Sequence, residues 1–351
     1  MMNVSHETFG CGVVTDDLLF GPLAAVAADP AVTDVAVTCG GEVWVDCGRG
    51  MERAHIDIPL RPAAVLREYA VRLCAQLGCR LDEAAPIADA SAPDGTRIHA
   101  VVAPIVSQGA AISIRLPDRR ASRLDHLVRH GLCPPAWEDL LRHMVAKRAN
   151  MLIVGGTGAG KTTLLKALLQ ECSVRERIVV VEEVRELGAV HHGNMVSMLT
   201  RQANVEGAGA ISLAQLVKAT LRMRPDRIVV GECRGEEIVD LLRASNSGHA
   251  GGMTTIHANG VAHVPARLMA LGLLAGLEPR ATALLASRAF DVLVMLRRNG
   301  SQRYIAEIGT LSLNGEGLAG APLAVWNGSG EAAVCDHMHE RWRAFCERWL
   351  R

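Results

Sequence analysis

An apolar run, Met151-Leu152-Ile153-Val154, is followed by Gly155-Gly156-Thr157-Gly158-Ala159-Gly160-Lys161-Thr162 and then by Thr163-Leu164-Leu165-Lys166-Ala167-Leu168-Leu169-Gln170. The middle eight residues fit G-x-x-x-x-G-K-[ST], and their setting predicts a buried strand, a tight loop and a helix. Glycines let the backbone curl so that successive N–H groups face one anion. Lys161 is placed to reach terminal phosphates, Thr162 to set a hydroxyl on Mg²⁺, and the helix N-terminus favours bound phosphate. Residues 155–163 are therefore the expected nucleotide-binding set.

Composition sharpens this reading. There are four lysines, Lys147, Lys161, Lys166 and Lys218, against 33 arginines. Where arginine fills nearly every generic basic position, a lysine kept in this loop marks a need for a compact ammonium. The formal net charge is zero, so bulk electrostatics favour neither DNA nor an anionic membrane. No direct nucleic-acid contact is expected, because no basic, aromatic-interleaved run is present. The first residues lack the basic and apolar regions of a signal peptide. The longest apolar run, residues 268–277, is about half a membrane span and reads as a buried helix. The ten cysteines contain no C-x-x-C pair and read as reduced thiols. Cys335, His337 and His339 lie close in sequence but read as coincidence rather than a zinc site.

Length predicts two domains or three. Residues 1–14 read as a tail and 15–118 as a small α+β domain. In it a helix is expected over 16–28, strands over 34–38 and 42–46 around Gly40-Gly41, and an amphipathic helix over 62–77. Asp94-Gly95 signals a hairpin. Residues 119–133 are assigned to a linker. From 134 to 310, strands expected at 152–154, 178–181, 228–230, 252–256 and 292–296 alternate with helices, which implies an α/β domain with a largely parallel sheet. Ser212-Leu213-Ala214-Gln215 is a capping box. Residues 311–351 read as a C-terminal extension, Gly-rich and then helical.

Three more segments have to converge on the nucleotide. Val179-Val180-Val181-Glu182-Glu183-Val184-Arg185-Glu186 is an apolar strand ending in carboxylates, where an α/β sheet places catalytic groups. Arg227-Ile228-Val229-Val230-Gly231-Glu232 ends in one glutamate, with Gly231 where a phosphate-loop enzyme often carries its Mg²⁺-binding aspartate. Ser247-Gly248-His249-Ala250-Gly251-Gly252-Met253-Thr254-Thr255-Ile256-His257-Ala258 is rich in Gly, Thr and His.

With the phosphate loop, these segments resemble, in order, the P-loop, acidic box, Walker B and histidine box of the type II/IV secretion ATPases. Thr200-Arg201-Gln202-Ala203-Asn204-Val205-Glu206-Gly207 and Leu221-Arg222-Met223-Arg224-Pro225-Asp226-Arg227 are most similar to the branch that powers tight-adherence (Flp-type) pilus assembly. The resemblance covers roughly residues 20–310. It implies a RecA-like α/β core, a smaller PAS-like N-terminal α+β domain, and a homohexameric ring. It also implies ATP and Mg²⁺ as cofactors, a membrane platform protein as partner, and a cytoplasmic location with peripheral membrane association only.

It further implies site roles. Glu182 and Glu232 compete to orient the attacking water. Thr162, Glu183 and Glu232 face Mg²⁺, partly through water, although Glu183 departs from the family's usual aspartate. His249 and His257 sense the γ-phosphate. Arg97 and Arg115, from the small domain, swing onto it. Glu186 reads equally as a solvated residue, and Arg201, Arg222 and Arg234 equally as surface or inter-subunit groups. Conjugation or protein export is the neighbouring expectation, since one engine serves several machines. A nucleotide-dependent switch with little turnover, or a DNA translocase, are the alternatives from other classes.

Overall fold

Hydrophobic spacing and a few helix-breaking residues set the elements. In the computed structural model residues 19–351 are described, except 49, 93, 118–122, 189, 191, 202, 204–207 and 316. The contacts divide the chain after Leu116. The tail at 1–14, the first residues of the helix expected over 16–28, most of the 117–123 stretch and residues 204–207 lie outside the described residues.

In the small unit, a 3-10 turn at Gly21–Leu23 precedes a short helix, α1 (Ala24–Ala28). Pro22 supplies no N–H to a longer helix here. Six strands, β1 (Asp34–Val37), β2 (Val43–Asp46), β3 (Met51–Ala54), β4 (Ile87–Ser91), β5 (Arg97–Val102) and β6 (Ala110–Arg115), form a sheet in the order β3-β2-β1-β6-β5-β4. Every neighbouring pair is antiparallel. Val35, Val37, Ile98, Ala100, Val102, Ile112 and Ile114 alternate onto one buried face. Helix α2 (Ala63–Ala75) covers it with Leu66, Ala70 and Leu73. The opposite face carries Arg97 and Arg115 as direct cross-strand partners.

In the large unit, α3 (Leu124–Arg129) and α4 (Pro135–Ala146) precede β7 (Met151–Gly155) and α5 (Lys161–Gln170). Then come β8 (Ile178–Glu182), β9 (Met195–Leu199), α6 (Leu213–Thr220), β10 (Arg227–Val230), α7 (Glu237–Asn246) and β11 (Met253–Ile256). Helices α8 (Val264–Leu274) and α9 (Pro279–Ala289) lead to β12 (Val292–Asn299), β13 (Gln302–Asn314), β14 (Gly317–Val325), β15 (Ala333–Val334) and α10 (His339–Leu350). The sheet order is β15-β14-β13-β12-β7-β11-β10-β8-β9. It is parallel from β12 to β9 and antiparallel from β12 to β15.

Strands β7, β8, β10 and β11 are buried along their whole length, as expected for strands covered on both faces. Met151 and Ile153 belong to the core with α4, α5 and α10, whereas Leu152 and Val154 belong to the core with α6–α9. The capping box at Ser212 and Gln215 is formed and starts α6. Two features differ from expectation. Strand β9 is half-buried along its length, so it has neither the unbroken apolar run nor the alternation that marks a strand. The expected boundary at 310 falls inside β13, and residues 311–351 continue the large unit's sheet and add α10, whose Trp342 packs against Trp137 of α4.

At the edge of the sheet where the parallel strands begin, Arg227 is 1% exposed. It donates to Glu176 at 2.7 and 3.1 Å and to the carbonyls of Val145 and Gly251. Arg148 donates to the same carboxylate at 2.7 Å. Burial alone would raise the Glu176 pKa, but the two guanidiniums hold it below the usual value. Removing one partner strands a buried charge. Arg227→Met is expected to lower unfolding free energy by about 3 kcal/mol at neutral pH, measured by urea denaturation. A midpoint equal to wild type would refute this.

Candidate active site

The phosphate loop leaves β7 at Gly155 and enters α5 at Lys161. Gly160 sits at φ +94, where a Cβ would be strained. Lys161 is 8% exposed. Its Nζ donates to the carbonyls of Gly155 and Gly156, both at 3.1 Å, and lies 3.2 Å from His257 Nε2. Burial lowers its pKa, with Arg234 adding to the effect and Glu232 and Glu186 opposing it.

Parallel strands carry the partners to this edge. Glu232 follows β10 and His257 follows β11, both at the end of the sheet where β7 runs into the loop. Glu232 Oε2 accepts from Arg234 at 2.6 Å, and Oε1 lies 2.7 Å from His257 Nε2. Nε2 cannot both accept from Lys161 and donate to Glu232. The buried Glu232 Oε1 has no hydrogen-bond partner, so its 2.7 Å approach to Nε2 is a close polar contact and not a directed hydrogen bond. Nε2 faces the Lys161 ammonium and the Glu232 carboxylate together. Burial and then Lys161 push the His257 pKa down, and Glu232 pulls it up. Glu237, buried in the first turn of α7, accepts from the Arg234 and Gly235 N–H groups at 2.6 and 2.8 Å and fixes the turn that carries Arg234.

Glu182 ends β8 at 3% exposure. Its Oε1 accepts from the N–H groups of Glu186 and Leu187, both at 3.0 Å. A Cβ on Gly231 would lie 2.8 Å from Glu182 Cγ. Gly231 thus lacks the expected aspartate because the Glu182 side chain occupies that space. Burial raises the Glu182 pKa despite the two N–H donors. A raised folded pKa gives stability that is full below the ordinary carboxylate value and is lost as pH rises through the folded one. Glu182→Gln keeps the acceptor oxygen. It is expected to flatten that loss and to be at least as stable as wild type at neutral pH. Thermal midpoints between about pH 4 and 8 measure it, and a variant that tracks wild type throughout would refute the assignment.

Glu186 is placed more centrally than its sequence suggested: its Oε2 accepts from Thr162 Oγ1 at 2.9 Å. Glu183 is half-exposed, and its contact with Arg234 is long, at 3.9 Å. His249 is not brought to this edge. It precedes β11, whereas the phosphate loop follows the parallel β7, so the strand's roughly 13 Å separates them. Its ring lies 3.4 Å from Ser247 Oγ. The histidine box straddles the sheet, and within this chain only His257 meets the loop. Arg97 and Arg115 are neighbours on the small unit's open face, with Arg115 paired to Asp34 at 3.1 Å. Arg201 donates to the Gly209 carbonyl at 2.6 Å, inside its own loop.

Sequence reasoning missed Arg303 of β13, which donates from Nε to the Gly158 carbonyl at 3.0 Å. No local signal marks it, because its partner is 145 positions away. No group of three or more His, Cys, Asp or Glu placed to hold a metal is found among the described residues. The oxygen donors beside the loop, the Thr162 hydroxyl and the Glu186 and Glu232 carboxylates, suit Mg²⁺. That ion usually takes one or two protein ligands and completes its shell with phosphate and water.

A family profile described as type II/IV secretion system protein matches residues 19–309. A Mycobacterium tuberculosis protein whose name assigns it to conjugal transfer is 43% identical over 314 residues, 88% of each chain. The type IV secretion system protein PtlH of Bordetella pertussis is 32% identical over 309 residues, 79% of this chain and 89% of that one. Among solved structures, the pilus retraction motor PilT with bound ADP superposes with a TM-score of 0.56 at 17% identity, over 93% of this chain and 88% of that one. At that identity the likeness concerns the fold, which is the expected phosphate-loop α/β core with a smaller N-terminal α+β domain. The chain belongs to the type II/IV secretion system protein family, the ATPase family its four motif segments resemble.

Proposed function

We propose that this chain is an Mg²⁺-dependent ATP hydrolase that serves as the motor of a pilus-assembly or secretion machine. One observation carries the reading: Lys161, His257, Glu232 and Arg234 form an unbroken chain of polar contacts on the phosphate loop. A cation, an imidazole and a carboxylate within one site are what charge stabilisation and water orientation require. Glu232 is proposed to orient the attacking water, because it adjoins His257, which lies against Lys161. Glu182 is proposed to hold the 183–187 loop in place. Thr162 and the Glu186 that accepts from it would hold Mg²⁺, with Glu183 and Glu232 proposed to face it partly through water. ATP–Mg²⁺, when bound, supplies the phosphoryl group and the metal charge. Arg97 and Arg115 stand as proposed phosphate contacts from the small unit, where two adjacent cations share one face.

Purified protein is expected to release phosphate from ATP only with Mg²⁺. Turnover indistinguishable from buffer, with the membrane partner present, would favour the switch reading instead. A homohexamer, a membrane platform partner and peripheral attachment to the inner face of the cell membrane complete the proposal. Among the described residues, no helix is long and apolar enough to cross a membrane.

The tight-adherence branch is the finer proposal, carried by the wording of residues 200–207 and 221–227. A conjugation or type IV secretion motor is the second reading, favoured by the names of relatives at 43% and 32% identity. Deleting the gene separates them: loss of surface pili with normal DNA transfer supports the first, and the converse supports the second.

A further inference from the structure

Strand β12 runs parallel to β7 with Leu296 opposite Gly155. Its last residues, Arg297, Arg298 and Asn299, therefore extend past the end of β7, alongside the phosphate loop, and pair with Tyr304, Arg303 and Gln302 of β13. Arg303 meets the loop twice. Its Nε donates to the Gly158 carbonyl at 3.0 Å, and its Cδ lies 3.1 Å from where a Cβ on Gly160 would stand. The hairpin that presents it is tied down. The Gln302 side-chain amide donates to the carbonyls of Gly131 and Gly328 at 3.3 and 2.8 Å, and Tyr304 packs edge-on against Trp326.

We propose that Arg303 is a positioning residue for the nucleotide phosphates, acting through the Gly158–Ala159 peptide. In a loop of this kind successive N–H groups face the anion, and here the Gly158 carbonyl turns to Arg303. A guanidinium that donates to the Gly158 carbonyl polarises that peptide and makes its Ala159 N–H, which donates to the Gly156 carbonyl at a long 3.3 Å, a stronger donor for a bound phosphate. The stem against Gly160 and the head on Gly158 also hold the left-handed glycines in place, so less ordering remains to be done on binding. The inference rests on the ATP-site reading and deepens it. It gives the loop a support outside the four motifs, from the far end of the large unit's chain.

The test is titration of the full chain with ADP and with a non-hydrolysable ATP analogue, both with Mg²⁺, alongside steady-state hydrolysis and thermal unfolding without nucleotide. Arg303→Met keeps the stem over Gly160 but has no donor. It is expected to weaken nucleotide binding about tenfold, mostly as a rise in KM at little cost in kcat. Arg303→Lys, which keeps a charged donor, is expected to recover part of the affinity. Wild-type affinity in Arg303→Met overturns the proposal. So does an equal affinity loss in Met and Lys variants, which would mark a merely structural role. If both variants unfold at lower temperature, a loss of affinity confined to Met still supports the donor. Wild-type protein that binds no nucleotide would instead overturn the ATP-site reading itself.

Discussion

Lys161→Ala is expected to lower ATP hydrolysis by at least about 10²-fold and to weaken binding of ADP and ATP. The physical reason is the site's low exposure. Lys161 is a buried cation whose Nζ is held by two loop carbonyls and abuts His257, so its charge acts where water screens little. Lys161→Arg is expected to fail as well. The planar guanidinium is larger than the ammonium that the Gly155 and Gly156 carbonyls hold in a buried position. Phosphate release and a fluorescent-nucleotide titration measure the two effects. Unchanged turnover in the alanine variant would remove the phosphate loop from the mechanism.

The second large effect belongs to Glu232→Gln, expected to lower turnover by about 10²- to 10⁴-fold while nucleotide binding is kept or tightened. The amide that replaces the carboxylate would retain an acceptor for Arg234 but could not take a proton from water, and one negative charge would leave the neighbourhood of the phosphates. The same variant makes a pH prediction. The His257 pKa is lowered by burial and by Lys161 and pulled up by Glu232. The acid limb of wild-type kcat/KM is therefore expected below the ordinary histidine range. Without the Glu232 anion, the residual activity of the variant should lose its acid limb only at still lower pH. A limb that stays in place would separate it from His257.

Much of the site was legible because its members are local in sequence. The phosphate loop, the strand ending in Glu182, the strand ending in Glu232 and the His257 segment each announce themselves within a dozen residues. Parallel strands then bring their C-terminal ends to one edge. The same rule shows why His249 stands apart from the loop within this chain. A motif of twelve residues spans a whole strand, and its two histidines emerge at opposite ends. Strand β9 and the antiparallel extension β13–β15 are unmarked in the sequence for another reason: β9 and most of β14 are half-buried and tolerate mixed residues, and the buried run of β13 is interrupted by Glu307 and Thr310.

The glutamates of the acidic stretch show the boundary most clearly. As text, Glu182, Glu183 and Glu186 are three carboxylates in one acidic stretch, with Glu186 the least marked. Folded, Glu182 turns back onto its own loop and fills the space above Gly231, Glu186 reaches Thr162, and Glu183 is left half-exposed. Their differences come from which neighbour each one finds, and neighbours are set by strand order.

By itself the sequence determined that this chain holds a phosphate loop in an α/β core and belongs with the secretion ATPases, because those signals are written in short, contiguous runs. Only the tertiary structure decided that Glu232 rather than Glu182 meets His257, which lies against Lys161, that the Glu182 side chain fills the space beside Gly231, and that Arg303 donates to the Gly158 carbonyl. Each of those is a contact between segments far apart in the chain, and such contacts exist only once the sheet has fixed which strands are neighbours.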